Sequence, residues 1–121
     1  FLNTTTPNFS NQLLKRFLEN KLLTKKSTKF LYKTMVSTSV GQNRIKAKLP
    51  TNTEVAHRTG SSFTNDAGLT GAINDIGIVK LPNGKYLIIS IFVHNTTEKF
   101  KDGEEIIADI TKATWDNYTT K

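Results

Sequence analysis

The sequence contains no cysteine, which excludes disulfides, thiolate zinc sites and a cysteine nucleophile while leaving the redox compartment open. Histidine is nearly as scarce. His57 and His94 show no metal-ligand spacing and have no cysteine partners, so each reads as a surface residue or as one that orients a neighbour. No metal and no cofactor are expected. Long apolar runs are also missing: nothing approaches the ~20 residues that span a bilayer, so no membrane association is expected. Phe1-Leu2-Asn3-Thr4-Thr5 lacks the regions of a signal peptide, and an exported parent would carry its signal upstream. The seven glycines form no phosphate-cradling pattern, and no Gly-x-Ser-x-Gly elbow presents a serine for attack.

Acidic residues are the minority, and they are unevenly placed. Residues 1–58 hold eleven Lys and Arg against Glu19 and Glu54, whereas the remainder holds six Lys against eight acids. Such a basic half could attract nucleic acid or an anionic surface. Lys15, Arg16, Lys21, Lys25, Lys26, Lys29 and Lys33 fall mainly between apolar positions, however, where a solvated helix face puts them. No nucleic-acid partner is expected. Asn3, Asn8, Asn95 and Asn117 each begin an Asn-x-Ser/Thr triplet, which carries little weight in a chain so rich in Asn, Ser and Thr.

At 121 residues the chain can bury one modest core. Thr6 caps a predicted helix that begins at Pro7 and reaches about residue 20, with Phe9, Leu13, Leu14, Phe17 and Leu18 on one face. A second helix begins near the cap candidate Ser27 and ends before Gly41, and only a short helical turn fits between Gly41 and Pro50. From Glu54 the pattern turns strand-like. Ile73 to Leu81 and Tyr86 to His94 flank the hairpin signal Leu81-Pro82-Asn83-Gly84. The run Leu87 to Val93 hardly alternates, so apolar material should cover both faces of the sheet. Asp102 and Glu105 suggest a capping box for a last helix ending near Tyr118. A layered α/β arrangement follows: residues 1–50 are a helical segment, and residues 51–121 are a three-stranded antiparallel sheet with a terminal helix.

One segment carries chemistry. In Val55-Ala56-His57-Arg58-Thr59-Gly60-Ser61-Ser62 a cation and a hydroxyl precede a glycine on a strand, a combination suited to binding a carboxylate close to the backbone. Taken alone, Arg-Thr-Gly also suits an exposed strand end with a glycine bulge. Its context is more specific. Leu49-Pro50, four residues and then Val55 to Gly60 resembles the approach to the Lys-Thr-Gly box of class A serine β-lactamases. Met35 to Ile45, with its threonine, Gly41 and Arg44, resembles the family's segment before that approach, and Asn74 to Val79 with Leu81-Pro82-Asn83-Gly84 resembles its next two strands. Asn3-Thr4-Thr5-Thr6-Pro7 looks like the end of the family's active-site loop. The resemblance covers nearly the whole chain and is closest to the extended-spectrum enzymes of the Bacteroidetes type.

That resemblance implies the C-terminal portion of a periplasmic or secreted enzyme that opens the β-lactam ring of penicillins and cephalosporins through an acyl-enzyme. The family's Ser-x-x-Lys, Ser-Asp-Asn and loop glutamate are not found here, so this chain alone should be inactive. By resemblance, Arg58 stands where the box usually has lysine and holds the substrate carboxylate, Thr59 donates to the same group, and Gly60 and Ser62 line the wall. The Ser61 backbone N–H is half of the oxyanion hole, and Arg44 reaches the carboxylate from the preceding segment. Arg44 and Arg58 are expected to converge on one cleft. The implied partners are a β-lactam antibiotic and the rest of the same enzyme, with self-association through an exposed sheet edge as a further expectation. Two alternatives stay open: a related penicillin-binding D-alanyl-D-alanine carboxypeptidase, and a non-enzymatic basic binding module.

Overall fold

The computed structural model describes residues 4–120, so Asn3 lies outside them. Six elements follow in order: α1 (Pro7–Leu18), α2 (Lys25–Val36), β1 (Val55–Ser61), β2 (Thr70–Lys80), β3 (Tyr86–Thr96) and α3 (Phe100–Thr119). Thr6 caps α1 as expected, its hydroxyl accepting from the Phe9 N–H at 3.1 Å, and Pro7 opens the first turn, where a missing N–H costs nothing. Asn20, at a positive φ of 57°, ends the helix. The N–H of Lys21 then reaches back to the Arg16 carbonyl at 2.9 Å and closes the end as a Schellman motif.

Two helix starts differ from expectation. The cap of α2 is Thr24, not Ser27: the Thr24 hydroxyl accepts from the Ser27 N–H at 3.2 Å. A hydroxyl three residues upstream of a free amide caps as well as serine does, and it starts the helix a turn earlier. Likewise α3 starts at Phe100 with no side-chain cap, and Asp102 stands inside its first turn, where its negative charge is stabilised by the positive end of the helix dipole. Between Gly41 and Leu49 the chain closes three tight turns, with Arg44 N–H to Gly41 O, Ala47 N–H to Arg44 O and Leu49 N–H to Lys46 O.

The sheet order is β1-β2-β3, antiparallel throughout, with Val55 opposite Val79 and Ile78 opposite Ile88. The two faces bury different partners. On one, α3 and the Gly41–Leu49 turns pack over Val55, Ile73, Val79, Leu81, Ile89 and Ile91, with Ile45, Ile107 and Trp115 between them. On the other, α1 and α2 cover Ala56 and Ile78 with Leu14 and Phe17, joined by Tyr32, Met35, Ile76 and Ile88. The non-alternating run in β3 is thus explained: Leu87, Ile89, Ile91 and Val93 serve the first face and Ile88 the second. Each fully buried isoleucine contributes roughly 1.5–3 kcal/mol. Gly103 lets α3 lie close to the sheet, since a Cβ there would come within 2.5 Å of the Ile73 Cδ1. Tyr32 ties α2 to the start of β1 by donating to Glu54 at 2.8 Å. Burial, and then that hydrogen bond, raises the Tyr32 hydroxyl well above its ordinary range and keeps it a donor.

Candidate active site

β1 is an edge strand, and its pairing decides what it offers. Its flanks, Lys80 N–H to Glu54 O at 3.0 Å and Ser62 N–H to Ala72 O at 2.9 Å, show that even-numbered residues exchange hydrogen bonds with β2. In an antiparallel ladder the intervening residues must then turn their amides the other way, so the N–H groups of Thr59 and Ser61 point off the free edge. An outward amide at an exposed strand end is a donor available to an oxyanion.

Side chains alternate in the same way. Arg58 lies opposite Ile76 and projects on the α1/α2 face, where it is exposed and lines an apolar groove of about 580 Å³ with Leu13, Phe17, Leu31 and Met35. Among the described residues Arg58 makes no ion pair. Gly60 shares that face, and no heavy atom lies within 4 Å of where its Cβ would stand, which leaves the backbone approachable. Thr59, opposite Asp75, and Ser61, opposite Ile73, present their side chains on the α3 face. Ser62 is occupied: its hydroxyl accepts from the Ala72 N–H at 2.9 Å and donates to the Phe63 carbonyl at 3.3 Å, which closes the strand end.

Arg44 departs from expectation. It was expected to converge with Arg58, yet its side chain lies on the α3 face and is only 4% exposed. Its Nε pairs with Glu104 at 3.1 Å, Nη1 donates to the carbonyls of Asn74 at 2.7 Å and Gly60 at 3.3 Å, and Nη2 donates to the Ser61 hydroxyl at 2.6 Å. Its guanidinium carbon also sits 5.6 Å from the centre of the Phe100 ring. A guanidinium with five donors and a rigid fork is suited to such a role. Arg44 therefore braces the backbone of the Arg58–Ser61 segment from behind, and the two arginines reach it from opposite faces of the sheet.

Of the two places expected for His57, the surface or a position orienting a neighbour, the structure excludes the surface. It is 1% exposed, and its Nδ1–H donates to the Asp75 carboxylate at 2.9 Å. Asp75 itself is wholly buried, and it also accepts the Ile45 N–H at 3.2 Å. A signal was present. Asp75 stands between Ile73, Gly77 and Val79 on the inward face of a strand, and a buried carboxylate there requires a partner. His94 remains exposed. Among the described residues no three His, Cys, Asp or Glu side chains gather in a metal-holding group, and no helix is long and apolar enough to cross a membrane.

Comparison with known proteins decides the family. The model of the "Beta-lactamase enzyme family" matches residues 1–118. The chain belongs to the β-lactamase enzyme family. It is 46% identical over 123 aligned residues to Beta-lactamase VEB-1 of Pseudomonas aeruginosa, covering all of this chain and 41% of that relative. The crystal structure of TLA-1 extended-spectrum β-lactamase superposes with a TM-score of 0.92 at 50% identity, over 94% of this chain and 41% of that one. A class A β-lactamase from Bacteroides cellulosilyticus superposes with a TM-score of 0.93 at 35% identity, over 97% and 42%. These neighbours put the chain in class A, and it spans about two fifths of the length of the β-lactamases it matches.

Proposed function

We propose that residues 1–121 are the C-terminal portion of the catalytic domain of a class A β-lactamase, one that hydrolyses penicillins and cephalosporins through a serine acyl-enzyme and so confers antibiotic resistance. The observation that carries this reading is the free edge of β1, where an exposed Arg58 and the outward N–H of Ser61 stand three residues apart on one strand. The arginine supplies a cation for the substrate carboxylate, with Thr59 as the accompanying hydroxyl donor and Gly60 leaving the approach open. The Ser61 amide offers one donor to the oxyanion of the tetrahedral intermediate, and a nucleophile from the rest of the parent supplies the attack. Since a guanidinium keeps its proton, Arg58 acts by charge and geometry and not by proton transfer.

The reaction needs no cofactor in this reading. The remainder of the enzyme docks against the groove beside Arg58 and pairs with the outer edge of β3, an edge that otherwise invites self-association. A periplasmic or secreted location follows for the parent. The test is hydrolysis of a chromogenic cephalosporin by the full-length protein and by this chain alone. The full-length protein is expected to turn it over and the chain alone is not, because oxyanion donors cannot replace a nucleophile. Turnover by the purified chain, or none by the full-length protein, would overturn the proposal.

A further inference from the structure

We propose that His57 is a positioning residue for the substrate-binding strand, acting through its buried pair with Asp75. This rests on the β-lactamase reading of Arg58 and Thr59. His57 directly precedes Arg58, and its side chain shares the inward face with that of Thr59. Its ring meets two separate parts of the fold directly and a third through Asp75. Nδ1 donates to Asp75 on β2 at 2.9 Å, and that carboxylate also holds the Ile45 N–H at 3.2 Å. The far side of the ring lies against Gly41: a Cβ there would stand 3.3 Å from His57 Cε1 and 2.2 Å from Thr59 Cγ2. Nδ1 is the ring atom through which the described residues anchor it, while Nε2 is buried without a partner among them.

The consequence is mechanical. One carboxylate fastens the strand that carries Arg58 and Thr59 to the turns that carry Arg44, through hydrogen bonds buried from bulk solvent. Losing the anchor frees the ring to turn and the Gly41–Ile45 turns to lift. Thr59, packed against Gly41, then loses its fixed position toward the carboxylate of a substrate. Displacements near 1 Å at a binding group can cost on the order of 100-fold in rate.

Two substitutions in the full-length enzyme separate positioning from mere stability. Asparagine places its amide nitrogen near where His57 Nδ1 lies, so His57→Asn keeps the donor to Asp75, whereas His57→Leu keeps only the bulk. The expected result is that His57→Leu raises KM for a cephalosporin on the order of tenfold or more with a smaller change in kcat, while His57→Asn stays within a few-fold of the parent. A β-lactam without the ring carboxylate should be nearly indifferent to both. Equal KM changes in the two variants, or equal losses with and without the substrate carboxylate, would overturn the proposal. Hydrogen exchange supplies a readout independent of turnover. In His57→Leu the Ile45 amide should lose protection, and in His57→Asn it should keep it, even if the parent hydrolyses no β-lactam. An Ile45 amide as protected in His57→Leu as in the parent contradicts the anchor itself.

Discussion

The two faces of the sheet treat an arginine in opposite ways. On the α3 face Arg44 is buried, paired with Glu104 and committed to two carbonyls and a hydroxyl; on the α1/α2 face Arg58 is exposed beside an apolar groove. Burying a charge demands that its donors be satisfied from within, so a guanidinium enclosed like Arg44 has little capacity left for a ligand. A cation on an open rim keeps that capacity. Position relative to the sheet, not residue type, separates the arginine enclosed by the fold from the one left open to a ligand.

The comparison is broken hardest by removing the acid behind Arg44. Glu104→Ala in the full-length protein should lower the unfolding free energy by about 3–5 kcal/mol, the cost of leaving a buried charge unpaired. Denaturant titration measures it, and a loss below about 1 kcal/mol would show that solvent reaches Arg44 freely. Next comes Gly41→Ala. At φ 75°, with Thr59 Cγ2 only 2.2 Å from the added methyl, it should cost about 2–3 kcal/mol and raise KM as Thr59 moves. Unchanged stability and KM would mean that Gly41 does not press on the site. The smallest effect lies far from it, where Thr24→Ala should remove the α2 cap at about 1 kcal/mol and leave KM unchanged. A changed KM in that variant would link α2 to the box.

Much of this fold was legible because local rules governed it. The Asn-Gly turn, the apolar run of β3 and the Thr6-Pro7 helix start each depend on a few neighbouring residues, and each appears as expected. Arg58 to Ser61 stood out through resemblance to a known family and not through a local rule; on β1 their alternation sets which amides and side chains face outward. Hydroxyls compete for caps, so the choice of Thr24 over Ser27 was less readable, as Thr24 offers the same oxygen one turn earlier. What sequence spacing hid were the long-range partners. Glu104 lies sixty positions from Arg44, and Asp75 eighteen from His57. Only packing α3 and β2 against the Gly41–Leu49 turns brings these pairs together, and without them Arg44 read as a ligand contact and His57 was left between the surface and a position orienting a neighbour.

The most direct test of the open-face role is a comparison of Arg58→Ala with Arg58→Lys in the full-length enzyme, using kcat/KM for a cephalosporin. Alanine is expected to lose about 10- to 150-fold, the worth of a charge-assisted contact of roughly 1.5–3 kcal/mol, while lysine keeps most of the activity because it restores a cation at the same strand position. Equal losses in the two variants would contradict it, because the charge at Arg58 would then not be what the substrate meets.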